Sequence, residues 1–236
     1  MVLIKINQMI IITGASRGIG KYLFERFYDT EERIIGTYNS TKINDAKNKE
    51  LYKVDISNFN AVSNWIKMIE NKLTRIILIN CAGKNYNSFA HKANIEEWES
   101  VIKTNLIGTF YVIRCILPYM RNQNYGRIIN FSSVTAQLPT PGISAYAASK
   151  SGLWGMTKSL VAENGSKGIT INNINLGYAE IGMGIKDVPE EYKKTIKNKI
   201  PNGKFCTPEE IYKTVEYIIN TEYLNGASID INGGII

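Results

Sequence analysis

MIIITGASRGIG, residues 9–20, carries a β-branched apolar run directly into a glycine-rich turn. Residues 9–13 have the length and composition of a strand buried on both faces. In TGASRGIG (13–20), Gly14 and Gly18 allow torsions and a close backbone approach that a Cβ would block. Gly20 lets the following helix settle on the sheet. Free amides at the start of that helix face a pyrophosphate well. A glycine pattern alone is weak; a strand before it and a helix after it give it the context of a dinucleotide-binding turn. The residues ahead of Met9 read as a short leader, lacking the basic start and small-residue cleavage site of a signal peptide.

Outward from this turn, short β-branched runs alternate with helix-length segments. The expected strands are 9–13, 33–37, 51–54, 75–79, 126–131, 169–174 and 227–231, and the expected helices 17–29, 59–72, 96–121, 145–164 and 208–220. Such alternation implies parallel strands joined by right-handed crossovers, a doubly wound sheet of about seven strands. Pro118 falls where the third long helix is finishing, a tolerable place for it. TPEE (207–210) is a helix start, with Thr207 as N-cap, Pro208 in the first turn and two acids near the positive end of the dipole. No repeat or domain-length linker interrupts residues 1–236, which read as one domain.

Composition narrows the function. With 236 residues, 44% of them hydrophobic, the chain can bury one large core. No apolar run approaches the length of a membrane span. Cys81, Cys115 and Cys206 are scattered and His91 is the only histidine, so neither a disulfide framework nor a metal site is expected. A reduced, cytoplasmic protein is the natural reading. The net charge of +7 comes from dispersed lysines, a solvated face that leaves room for an acidic ligand or partner. No aromatic–basic module points to nucleic acid.

The second strand bears on the cofactor. NAD binders carry an acid near its end for the ribose 2′-hydroxyl, whereas a 2′-phosphate requires its absence and a nearby cation. Here the strand ends in Tyr38, Asn39, Ser40 and Thr41, with no acid, while Arg17 in the glycine turn and Lys42 just beyond offer positive charge. NADP(H) is therefore expected over NAD(H).

AYAASKSGLWG (145–155) places Tyr146 and Lys150 one helical turn apart among small residues. A free phenol titrates near pH 10, and an adjacent ammonium lowers that value toward the range useful for proton transfer. Singly, Tyr146 reads as well as a packed aromatic and Lys150 as a surface lysine. Joined to the glycine turn, NCAG (80–83), Asn105 and Ser133, the pair resembles the short-chain dehydrogenase/reductase family, from the first strand to the closing DINGG (230–234). Within it, TGASRGIG, YGRIINFSS and IPNGKFCTPEEI are most similar to the 3-oxoacyl-carrier-protein reductases.

The resemblance implies a Rossmann-type fold and reversible hydride transfer between NADP(H) and a carbonyl or secondary alcohol. By it Tyr146 is the proton donor and Lys150 its partner on the cofactor ribose. Ser133 hydrogen-bonds the carbonyl, and Asn105 holds a helix irregularity and a water that extends a proton relay from the lysine. Gly14, Ser16, Arg17, Gly18, Ile19, Gly20, Asn39, Ser40, Asp55, Ile56, Asn80, Ala82, Gly83, Gly177 and Ala179 complete the implied cofactor site. Leu176 and Ile181 depart from the family's proline and threonine, which implies weaker nicotinamide contacts and a looser loop. Residues 183–206 are the expected substrate lid. Lys167 matches a basic position associated with carrier proteins and Asn124 lacks the charge of another, so a carrier-bound acyl group and a small free ketone both stay open as substrates. A homotetramer through the long helices is implied by analogy, and a dinucleotide sensor without turnover is the alternative of a different class.

Overall fold

A computed structural model describes residues 8–29, 33–41, 50–183 and 189–236. Lys42, most of the leader and residues 184–188 of the expected lid lie outside the described residues. Seven parallel strands form one sheet in the order β3-β2-β1-β4-β5-β6-β7. These are β1 (Met9–Thr13), β2 (Arg33–Tyr38), β3 (Leu51–Lys53), β4 (Ile76–Asn80), β5 (Gly126–Ser133), β6 (Ile169–Leu176) and β7 (Ser228–Ile231). The chain winds outward from β1 to β3, then returns beside β1 as β4 and winds the other way. That reversal opens a crevice at the carboxyl ends of β1 and β4, where such sheets bind ligands.

Alternate residues of each strand serve opposite layers. On one face Ile10, Ile12, Ile77, Ile79, Ile129 and Ile174 pack against α1 (Gly18–Tyr28) and α7 (Pro208–Asn220). On the other, Met9, Ile11, Ile76, Leu78, Ile128 and Ile171 meet α2 (Phe59–Ile69), α4 (Thr109–Gln123) and the far part of α5 (Ser144–Asn164). Thr207 caps α7 in a full capping box with Glu210, as the TPEE run predicts.

Three features go beyond the sequence pattern. The expected helix 96–121 is continuous but not uniform: α3 (Ile95–Ile102) passes through a π segment, Lys103–Gly108, into α4, with Pro118 inside the latter. This run, Ile95–Gln123, is long and apolar enough by composition to cross a membrane. Its apolar positions Val101, Val112, Ile113, Ile116 and Met120 are instead all fully buried against the protein's own core. A helix not expected from the sequence, α6 (Glu190–Lys199), occupies the lid segment and seats Ile196 against Ile200 and Phe205.

The third feature is a buried polar row. Thr13, Asn80, Asn130, Asn173 and Ser228 share one register across five strands, on the face covered by α5. Asn80 Nδ2 donates to Asn130 Oδ1 at 2.9 Å, and Asn130 Nδ2 reaches Thr157 Oγ1 and Asn173 Oδ1 at 3.3 Å each. Asn173 Nδ2 in turn donates to Ser228 Oγ at 3.0 Å. Two residues onward, the Trp154 indole N–H bridges Ser132 Oγ at 3.0 Å and Asn175 Oδ1 at 2.9 Å, and Asn175 Nδ2 donates to Asp230 at 2.8 Å. Buried amides hold only where they are paired, so these rows fix how α5 lies on β5 and β6.

Candidate active site

The glycine turn comes first. Gly14 and Gly18 adopt φ of 70° and 56°, and a Cβ on Gly14 would stand 2.7 Å from the Ala82 Cα. A Cβ on Gly20 would run into the Gly14 carbonyl oxygen. β1 and β2 close around the turn: Ala15 N–H donates to the Thr37 carbonyl at 2.7 Å. Arg17, the N-cap of α1, is exposed, makes no capping bond, and no acid lies in the first helical turn. By contrast α2, α3 and α7 are capped by Asn58, Asn94 and Thr207. The start of α1 therefore keeps its amides and positive dipole end free for an anion, and a dinucleotide pyrophosphate fits that cradle.

Around this crevice stand the other expected residues. Asn39 and Ser40 are exposed just past β2. Asp55 is exposed after β3, its carboxylate accepting from the Ser57 N–H and hydroxyl at 2.9 and 2.7 Å, while Ile56 is buried against Gly108 of the π segment. Ala82 and Gly83 follow β4, with Ala82 N–H on Thr13 Oγ1 at 3.2 Å. Gly177 packs so tightly on Asn232 that a Cβ would come within 2.8 Å of its Cα. Ala179 bridges to Cys206, and Gly182 faces Ile19 and Gly18. Strand β6 runs on through Leu176, paired with Ile231, where the resemblance implied a looser loop.

Ser133 ends β5 and faces Tyr146, which lies in the first turn of α5. Lys150 is 5% exposed and sits with its Nζ 5.5 Å from the Tyr146 ring centroid. Burial pushes Tyr146 above its ordinary value, and the opposing pull in this fold comes from the Ser133 hydroxyl, where the sequence led us to expect it from Lys150. The Lys150 ammonium donates to the Phe131 carbonyl at 2.6 Å. Burial also lowers Lys150 itself to about 8, with Cys81 as the opposing neighbour.

Asn105 lies within the π segment and is 1% exposed. Its Oδ1 accepts from Lys84 N–H, and its Nδ2 donates to the Lys84 carbonyl, each at 2.9 Å, and to Ser149 Oγ at 3.1 Å. Ser149 Oγ donates to the Tyr146 carbonyl at 2.7 Å. The irregularity is present as expected. The Asn105 side chain ties the segment after β4 to the Tyr146 turn.

The sequence reading missed Thr135, whose backbone and side chain both bond Ser133, and Trp154, one turn beyond Lys150. Trp154 stands in the quoted stretch 145–155, so its spacing was the available signal; nothing in the sequence marks Thr135.

Comparison with known proteins gives the chain's family. The sequence profile described as short chain dehydrogenase matches residues 8–191. The chain is 32% identical to a 3-oxoacyl-[acyl-carrier-protein] reductase of Thermotoga maritima, covering 98% of both chains. It is 33% identical to an acetoacetyl-CoA reductase of Rhizobium meliloti, covering 97% of this chain and 98% of that one. A 3-oxoacyl-[acyl-carrier-protein] reductase of Rickettsia bellii is 35% identical over 98% of this chain and 97% of its own. Likeness of this extent reaches past the nucleotide-binding half to the closing strand, and the chain belongs to the short-chain dehydrogenase/reductase family of oxidoreductases.

Proposed function

We propose that the protein is an NADP(H)-dependent reductase of 3-oxoacyl thioesters. The convergence of Ser133, Tyr146 and Lys150 at the carboxyl end of β5, two strands from the glycine turn, carries the reading. The glycine turn, the uncapped start of α1 and the segment after β4 hold the dinucleotide, which supplies the hydride. Arg17 and the acid-free end of β2, Tyr38 to Thr41, favour a 2′-phosphate. Ser133 donates to the substrate carbonyl and fixes it. Tyr146 gives its proton to the oxygen as charge develops there. Lys150, anchored on the Phe131 carbonyl, keeps a cation under the phenol ring and beside the ribose position. Asn105 and Ser149 hold the turn that carries Tyr146.

The names of the relatives, reductases of acyl-carrier-protein and coenzyme A thioesters, support the thioester over a free ketone. The carrier itself is the weaker element. Asn124 and Lys167 lie at the opposite edge of the β5–β6 pair from Ser133, on the order of 20 Å away along the strands. Exposed Ile107 and Phe110 on the long helix, and Tyr217 on α7, support the homotetramer. A cytoplasmic location follows from the thioester chemistry and the free cysteines. Turnover of acetoacetyl-CoA, an acetoacetyl carrier thioester and a panel of keto-sugars, each with NADPH and NADH, tests the reading. Turnover confined to the keto-sugars would overturn it.

A further inference from the structure

Ser133 is held from one side by a single residue. Its Oγ accepts from the Thr135 backbone N–H at 3.2 Å and lies 3.0 Å from Thr135 Oγ1. A serine hydroxyl has one proton to give and two lone pairs to fill. With both lone pairs occupied from Thr135, the serine's own proton points away from it, to the Tyr146 oxygen in the free protein and to the carbonyl oxygen once a substrate is seated. We propose that Thr135 is a positioning residue that commits Ser133 to the donor role, forming a chain of hydroxyls from Thr135 through Ser133 to the Tyr146 phenol. This deepens the proposed reductase reading, on which the role of the substrate carbonyl rests.

Hydroxyl chains of this kind polarise one another, so the Thr135 donation strengthens the Ser133 donation beyond it. Thr135 is half-buried in the short 3₁₀ turn Val134–Ala136, where the chain leaves β5. The turn fixes its side chain over the end of the strand. Among the described residues, the groups acting at Tyr146 are few. Lys150 lies on its own helix with its Nζ 5.5 Å from the ring centroid, and Cys81, from the end of β4, acts on that ammonium. From β5 there is Ser133, which favours the phenolate against the burial that opposes it. A weaker Ser133 donation therefore makes the phenol harder to ionise.

The test uses Thr135→Val, which keeps the shape and removes the hydroxyl, and Thr135→Ser, which restores it. The ionisation of Tyr146 is read from near-ultraviolet phenolate absorbance. Each protein is compared with its Tyr146→Phe counterpart, since the chain has 14 tyrosines. In parallel, kcat, KM and NADPH affinity are measured with acetoacetyl-CoA. Thr135→Val is expected to raise the Tyr146 midpoint and to lower kcat about two- to tenfold, the size of one hydrogen bond, with NADPH affinity unchanged. Thr135→Ser is expected to recover both. An unmoved midpoint in Thr135→Val, or a serine variant that behaves like the valine one, overturns the proposal. A moved midpoint in a protein that reduces no thioester upholds Thr135 and overturns the substrate reading instead. Turnover with an unmoved midpoint does the reverse.

Discussion

Replacing Asn130 by leucine isolates what the buried polar row contributes. Asn130 is fully buried, and among the described residues its Oδ1 accepts the hydrogen bond of Asn80 Nδ2, at 2.9 Å. Its neighbours on the other side have alternatives. Asn173 Oδ1 keeps the Thr157 hydroxyl at 2.9 Å and Asn173 Nδ2 keeps Ser228. Leucine roughly preserves volume, so the main loss is the stranded Asn80 amide, whose Oδ1 already lacks a partner among the described residues. An orphaned buried donor costs about 1–3 kcal/mol. At about 2–4 °C per kcal/mol for a chain of this size, Asn130→Leu should melt about 2–12 °C lower. Changing both partners removes the orphan, so Asn80→Leu added to Asn130→Leu should recover at least half of that loss. Thermal and urea unfolding of the two single variants and the double, read as a cycle, measures the coupling. A double variant no more stable than Asn130→Leu would refute the reasoning.

Other outcomes can be stated more briefly. Tyr146→Phe should bind NADPH as the wild type does and lose about 10²–10⁴-fold in kcat, the usual share of a general acid, as steady-state kinetics with fluorescence titration will show. Arg17→Ala should weaken NADPH at least tenfold and NADH by less than twofold; equal wild-type affinities for the two cofactors would end the phosphate assignment. Lys150 titrates near 8 in the fold against an ordinary 10.5, so between these values the unfolded chain holds the extra proton. Its cost to stability is complete below about pH 8 and fades as pH rises toward 10.5, so stability should climb across that window in the wild type relative to Lys150→Met. Gly14→Val places a branched side chain at φ 70° and into Ala82, and it should abolish NADPH binding in a chain that unfolds at lower temperature.

Local chemistry explains which features the sequence displayed. Strands such as Ile76–Asn80 and the Thr207 cap announce themselves because β-branched runs and N-cap residues act over a few positions. Tyr146 and Lys150 were legible as a pair from helical spacing alone, but their electrostatic relation was not. It depends on where the Lys150 ammonium goes, and the Phe131 carbonyl that takes it comes from another element. Asn172, Asn173 and Asn175 look unsuited to a buried strand until their partners on neighbouring elements are known. The π segment leaves no mark in the local pattern and was expected only from the resemblance at Asn105, whose bonds go to Lys84 and Ser149. Helix α6 is mostly charged and buries only Ile196, too thin an apolar stripe to stand out.

Because β1 sits between β2 and β4, Met9 pairs with both Arg33 and Ile76. During synthesis the first of these pairings is within reach soon after the chain leaves the ribosome. The second waits until α2 and β4 have been made. Through that interval the nascent chain carries five apolar or weakly polar residues, Met9–Thr13, with one edge bare. Unpaired edges of this kind invite misassembly. The strand that later lines the crevice thus spends part of translation with an edge open to wrong partners.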